Sequence, residues 1–301
     1  MAGNFVQLHN HTHYSLLDGA SKVPDLVKRV KELGMPAVGI TDHGNMHGAY
    51  ELWRAAVDSG VKPIIGIEAY VTPETARQDK TRVSWDTNWT PVPGHARNPD
   101  DVSGGGLITH LTMWAENDEG LVNLIKASSV ANLEGRVMRY PRMDKEVLST
   151  YSKGVIASSG CPSGIIQTRL RLGQFDEALR AAGEFQDIFG KDNFYIELMD
   201  HGLSIESKVT GDLLTIAKKL GAPARHQRLA LRHGGGQGRP GRHAVHQLRR
   251  HAGRPQPLQV RRIGILHQIR RGDARAVQGP SRRLRQHAGD RGTLQRDLRR
   301  P

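Results

Sequence analysis

The order of apolar runs along the first 223 residues constrains the fold more than any other feature of the chain. Short segments rich in Val and Ile alternate with amphipathic segments of helical period, the pattern of repeated βα units around a mainly parallel sheet. FVQLH, residues 5–9, reads as an opening strand. Val23, Leu26, Val27, Val30 and Leu33 follow at helical spacing, with Gly34 and Pro36 as stop signals, and AVGIT at 37–41 reads as the second strand. The spacing then predicts a helix over 50–57, strands over 62–71 and 106–115, a helix over 119–132, a strand over 155–160, a helix over 175–189, a strand over 193–200 and a helix over 205–220. At least six strands in this order favour a closed α/β barrel over an open sheet. The loop over 72–105, rich in Pro, Asn, Asp and Gly, is of a length that compact domains keep for functional or mobile segments.

Charge divides the chain where the alternation ends. Residues 224–301 carry 20 Arg, no Lys, three Asp and no Glu, which is +17, whereas residues 1–223 hold 23 basic and 27 acidic side chains, which is −4. The tail also has no Phe, Trp, Tyr or Met, so it lacks the apolar mass to order itself and reads as disordered. The single cysteine, Cys161, excludes an intramolecular disulfide, and no basic segment followed by an apolar run opens the chain, so a cytoplasmic location is expected. No apolar run approaches the roughly 18–20 residues that span a bilayer, so no membrane role is expected.

Ligand-type side chains recur at the strand ends. In HNHTHYSLLDG, residues 9–19, His9 and His11 lie two apart, so both imidazoles face one side of an extended chain and can share a metal ion; a solvated polar strand end is the plain alternative for that pair alone. Asp42 and His43 follow the second strand, Glu68 closes IIGIE, His110 lies in GLITHLTM and Cys161 ends VIASSGC. In an α/β barrel the carboxyl ends of the strands converge on one rim, which turns scattered positions into one constellation. Imidazoles, a carboxylate and a thiolate suit Zn²⁺, Mn²⁺ or Fe²⁺ better than Mg²⁺ or Ca²⁺, and more than four ligands imply more than one ion. Clustered ions with open positions hydrolyse phosphate esters, so phosphoesterase chemistry leads. His47 reads as a cap of the next helix, His95 and His201 as surface or turn residues, and Cys161 by itself as a small buried hydrophobe. Ser158 and Ser159 lack a GxSxG context, which argues against a serine nucleophile.

The strings FVQLHNHTHYSLLDG, AVGITDHGNMHGAYELW, KPIIGIEAYV, LITHLTMWAENDEGLVNLIKASS, SSGCPSG and FYIELMDHG strongly resemble the PHP (polymerase and histidinol phosphatase) domain of the bacterial DNA polymerase III alpha subunit, over residues 4 to about 223. The resemblance implies a distorted (β/α)7 barrel with a polynuclear site of two or three divalent ions, Zn²⁺ or Mn²⁺ with Fe²⁺ as a further option. By motif its ligands fall on His9, His11, Asp18, His43, Glu68, His110 and Cys161, while His13 stands where relatives carry a non-ligating Glu. It further implies a metal-dependent 3′–5′ exonuclease that proofreads a growing strand, with the DNA 3′ terminus and replisome subunits as partners. The family's last two ligands come from a late Asp-x-His motif, and ARHQRLALRH stands where it belongs, so the site is two ligands short and the barrel is expected to lack its last unit.

A shifted reading frame accounts for that gap. Moving the frame by one base permits Ala-Thr-Asn-Asp-Leu-His-Tyr-Val for Arg225 to Arg232, which restores Asp-x-His, and the same shift over Gln259 to Ala274 again yields a polymerase-like string. The expectation is a 1–223 PHP domain, incomplete, followed by a 224–301 out-of-frame tail, in a fragment without the polymerase active site and with a crippled nuclease. A selected arm that binds nucleic-acid phosphates without specificity is the alternative for the tail. For the domain the alternatives are a free-standing phosphatase of a small phosphomonoester, which LTMWAENDEGLVNL and ELMDHG argue against, and a non-catalytic domain that binds partners.

Overall fold

The segment 23–60 folds as its pattern dictates. Val23, Leu26, Val27 and Val30 are buried on one face of a helix with Pro24 and Asp25 in its first turn and Arg29 and Lys31 in its last, placements that suit a helix start and the helix dipole. In the computed structural model, which describes residues 5–15, 19–85, 98, 100–102 and 104–227, the elements in chain order begin α1 Val23–Glu32, β1 Ala37–Ile40, α2 Ala49–Ser59, β2 Lys62–Val71, β3 Thr109–Ala115 and α3 Asp118–Leu133. They continue β4 Arg136–Val137, β5 Tyr140–Met143, α4 Lys145–Thr150, β6 Val155–Ser158, α5 Ile165–Arg171, α6 Phe175–Phe189, β7 Phe194–Met199, α7 Ser204–Ser207, α8 Thr210–Leu220 and β8 Ala224–Gln227. All of these lie in one compact unit, Met1–Arg261; the second, Arg262–Pro301, and with it the expected disorder of the tail, falls outside the described residues.

Strand β2 organises the sheet. Its first half pairs parallel with β1, its last two residues pair parallel with β5, and its other edge pairs antiparallel with β3 from Gly66↔Trp114 to Val71↔Thr109. From β3 the order continues to β6, β7 and β8. The N-terminal segment joins β1 through one bridge, Gln7 with Val38, and through the bonds Gly39 N to Gln7 O and Thr41 N to Asn10 O, both 2.8 Å. Counting that segment, neighbouring strand positions run as N-terminus, β1, β2, β3, β6, β7 and β8, the number a (β/α)7 barrel needs.

The structure differs from the sequence reading in four places. Residues 5–9 form one isolated bridge, at Gln7, rather than a continuous strand. Strand β3 runs antiparallel to both neighbours, which period-2 patterning cannot reveal, since alternation is blind to direction. The helix expected over 205–220 is broken between α7 and α8 at Lys208 and Val209. The last strand position is filled rather than absent: Ala224–Gln227 pairs parallel with Ile196–Met199, although the resemblance ends at about 223. A parallel ladder is made by backbone groups, so these residues can complete it whatever their side chains.

Two apolar clusters flank the sheet, one of Val23, Leu26, Val30, Val38, Ile40 and Leu52 around α1 and α2, and a larger one around β2, β3, β6 and β7 that includes Ile67, Leu111, Phe185 and Phe194. Gly66 permits the close approach of β2 and β3: a Cβ there would lie 2.4 Å from Met113 O. Arg142 on β5 is fully buried and, among the described residues, donates to four carbonyl oxygens, Arg77 O and Asp79 O at 2.6 Å, Leu107 O at 3.3 Å and Gly135 O at 3.4 Å. It therefore pins both ends of the long loop after β2. Replacing it in Arg142→Met strands several buried acceptors, and chemical denaturation should show a loss of about 3 kcal/mol or more; an unchanged midpoint would remove Arg142 from the account of the loop.

Candidate metal centre

The carboxylate of Glu68, fully buried on β2, is where the imidazoles meet. Its Oε2 has His11 Nε2 and His43 Nδ1 each at 3.0 Å and His9 Nε2 at 3.5 Å, while Oε1 has His110 Nδ1 at 3.0 Å. The His11 and His43 rings stack at 4.1 Å with 13° between planes, and His43 meets His110 edge-on at 5.1 Å. Cys161 Sγ lies 3.3 Å from His110 Nδ1. Thus His9, His11, His43, Glu68, His110 and Cys161 converge, and Asp18 lies outside the described residues.

Each side chain is delivered by a separate device. Asn10 Nδ2 donates to Gly39 O at 2.9 Å and Trp114 Nε1 donates to Leu8 O at 3.0 Å, which holds the His9 segment against β1 and β3. Asp42, buried at the end of β1, accepts from Thr12 N at 2.6 Å, Thr12 Oγ1 at 2.8 Å and Ser15 Oγ at 2.8 Å; Ser15 Oγ in turn accepts from His43 N at 3.0 Å. Asp42 is therefore the clamp that holds the His11 loop to the His43 turn. His43 is set beside Glu68 by a bridge between the two residues and by Gly44 N donating to Glu68 O at 2.9 Å.

His110 reaches the same rim from the opposite direction. It stands near the start of β3, opposite Tyr70 near the end of β2, so strand reversal replaces the carboxyl-end position that a parallel barrel would give it. The turn carrying Cys161 docks on it through His110 N to Ser163 O at 3.1 Å, closed by Gly164 N to Cys161 O at 2.8 Å.

The polar contacts fit ions better than hydrogen bonds. Although imidazole nitrogens surround it, Glu68 Oε2 has no aligned hydrogen bond. Two ligand atoms each about 2.1 Å from one ion and subtending about 90–110° stand roughly 3.0–3.4 Å apart, the range of the separations around Glu68. Two triads satisfy that chemistry, His9–His11–Glu68 and His43–Glu68–His110, with Glu68 shared. Nitrogen-rich sites of this kind favour Zn²⁺ or another first-row ion over Mg²⁺ or Ca²⁺.

Burial and charge oppose one another at Glu68 and His9. Burial would raise the Glu68 pKa, but His110, His43, His9 and His11 outweigh it and hold the carboxylate well below its usual range. Burial would lower His9, but Glu197 and Glu68 together raise it from 6.5 to about 10. His11 is lowered, chiefly by burial and further by its histidine neighbours. Burial and then Glu68 push the Cys161 thiol well above its ordinary value, so in the metal-free protein it stays protonated.

Sequence reasoning missed one member. Glu197, buried on β7, lies with Oε1 2.8 Å from His9 Nδ1. Its signal was a carboxylate at the centre of an apolar strand, FYIELM. Of the histidines set aside, His13 packs its ring on Tyr14 at 4.3 Å with Nε2 4.0 Å from Glu51, away from Glu68, and His47 is exposed. His201 bonds through Nδ1 to the buried Glu206 at 2.5 Å, and Glu206 also accepts from His201 N, which makes it a turn former; His95 lies outside the described residues.

These shifts fix the pH response. A His9 pKa raised above 6.5 stabilises the metal-free fold in full below about 6.5, and that stability is lost as pH rises toward about 10. Thermal melts in chelator should therefore decline from neutral to alkaline pH, and Zn²⁺ added at neutral pH should release protons as it displaces the one on His9, measurable with an indicator dye in weak buffer. A melting temperature flat across that window, with no proton release, would contradict the assignment.

The PHP domain model matches residues 7–201. Over 220 residues the chain is 51% identical to the DNA polymerase III subunit alpha of Mycobacterium leprae, covering 73% of this chain and 18% of that protein. It is 54% identical over 217 residues to that of Saccharopolyspora erythraea, covering 72% and 18%, and 41% identical over 211 residues to that of Helicobacter pylori strain J99, covering 66% and 15%. Among solved structures, an amidohydrolase from Chromobacterium violaceum is a distant likeness, with a TM-score of 0.42 and 14% identity over 75% of this chain and 88% of that one. The chain thus spans less than a fifth of the length of the curated relatives it matches. With a family match over most of the folded residues and a His/Glu cluster suited to divalent ions, the chain belongs to the PHP domain family, in a form homologous to part of the DNA polymerase III alpha subunit.

Proposed function

We propose that this PHP domain is a metal-dependent phosphoesterase of the 3′–5′ exonuclease type, acting in the cytoplasm on a DNA 3′ terminus in the company of replisome subunits. The observation that carries the chemistry is the buried Glu68 carboxylate shared by two imidazole triads. DNA as substrate rests on the homology to polymerase III alpha subunits. Zn²⁺ or Mn²⁺, with Fe²⁺ as the further option, are the ions of choice, two or three in number.

Divalent ions held there supply Lewis acidity and lower the pKa of coordinated water, which is what hydrolysis of a phosphodiester requires. The chain's own residues do the rest. His11, His43 and His110 with Glu68 hold the positive charge at one rim, where a phosphate can approach from the half-exposed side of His11 and Cys161. Glu68 and the buried Asp42 keep the ligand-bearing segments from spreading apart.

Asp18 is proposed as a further ligand. The late Asp-x-His is absent from the sequence, and the shifted frame would place its Asp at Arg228 and its His at Ala230. On this reading residues 1–223 are the PHP domain and residues 224–301 an out-of-frame tail, so the nuclease is weak. Sequencing the gene should reveal a single-base shift near the codon for Ala224; an intact frame that encodes the tail would contradict it.

Release of nucleotides from a labelled primer terminus tests the function. Weak Mn²⁺- or Zn²⁺-dependent 3′–5′ release is expected, lowered about a hundredfold or more by His110→Ala because metal Lewis acidity is worth several kcal/mol. It should rise when Arg228→Asp and Ala230→His are introduced together. Faster turnover of a small phosphomonoester than of DNA would overturn the substrate assignment.

A further inference from the structure

Glu197 and the residues that hold it form a built relay behind His9. Glu197 is 2% exposed. Its Oε1 lies 2.8 Å from His9 Nδ1, its Oε2 accepts a hydrogen bond from Ser158 Oγ, and its backbone N donates to Ser159 Oγ at 2.9 Å. Ser159 Oγ also accepts from Gln167 Nε2 at 3.2 Å, and the same Gln167 nitrogen donates to Gly160 O at 2.8 Å. Ser158 and Ser159, whose sequence context argues against a nucleophilic role, are thus the supports of a buried carboxylate.

The ring geometry follows from that support. An Nδ1 facing a carboxylate carries the proton, so the Nε2 lone pair is left for an ion. His9 Nε2 points toward Glu68 Oε2, 3.5 Å away, on the side of the first triad. Thr112 Oγ1, 3.3 Å from His9 Nδ1, lies on the same edge of the ring as Glu197 and leaves the other edge to the site.

We propose that Glu197, held by Ser158, is the positioning residue of His9: it fixes the ring plane and the Nδ1-protonated tautomer so that His9 presents Nε2 to a divalent ion in the His9–His11–Glu68 triad. The inference deepens the metal-site reading and rests on it. The second triad, His43–Glu68–His110, shares no contact with Glu197 in the arrangement above, so the two ions respond differently to its loss.

Zn²⁺ titration against a chromophoric chelator, with the full chain, separates the possibilities. Glu197→Ala should weaken one ion by about 10- to 100-fold and leave the other near its wild-type affinity. The isosteric Glu197→Gln and the milder Ser158→Ala should shift the same ion in the same direction. Nitrogen-15 shifts of the His9 ring in the zinc-loaded protein should report one tautomer in the wild type and a mixture in Glu197→Gln, a change that loss of stability alone does not produce. Wild-type affinity for both ions in a folded Glu197→Gln and a folded Ser158→Ala would overturn the positioning role while leaving the metal site standing. Failure of the wild type to bind Zn²⁺ would overturn both. If Glu197→Gln does not fold, Ser158→Ala decides by the same two readouts.

Discussion

A carboxylate sealed inside a protein is costly unless positive charge faces it, and Glu68 is sealed completely. Its compensation comes from four imidazoles on separate stretches of chain: the N-terminal segment, the turn after β1 and the start of β3. Those stretches cannot drift apart without leaving the charge exposed to an apolar surround. The same pressure that holds the rim together suits it to a divalent ion, because an ion satisfies one carboxylate and several neutral imidazoles at once, whereas protons shared among crowded rings leave Oε2 without an aligned hydrogen bond.

Strand direction explains how such distant residues share a rim. Parallel strands place ligands at their carboxyl ends, as His43 after β1 and Glu68 in β2 illustrate. The reversed β3 brings its beginning to the same level, so His110 enters beside Tyr70 and Glu68 rather than from the far side. The Cys161 turn then docks on His110 through backbone bonds, and a thiol far along the chain arrives beside the same carboxylate.

How much of this the sequence disclosed depends on the physics of each element. Helix α1 was legible because four buried residues repeat at helical spacing and Gly34 stops the run. His9 and His11 were legible because their spacing puts both on one face, and His43, Glu68, His110 and Cys161 because ligand-type residues recur at successive strand ends; the family motif then named the same set and added Asp18. The direction of β3, the β4–β5 hairpin and the carbonyl cage of Arg142 were not, since strand pairing and a buried cation's partners are decided by tertiary contacts that no local pattern encodes. Glu197 was hidden for a similar reason. A lone Glu in a strand reads as its solvated face until the opposite face is seen to be filled by Phe194, Ile196 and Leu198.

Anomalous diffraction from crystals of the zinc-loaded protein, recorded at the zinc edge, measures the central claim directly. Two peaks are predicted on either side of the Glu68 carboxylate, each about 2.0–2.2 Å from one of its oxygens, one among His9 and His11 and the other between His43 and His110. A map without zinc at Glu68, in which the carboxylate is bonded to imidazole N–H groups alone, would contradict the account.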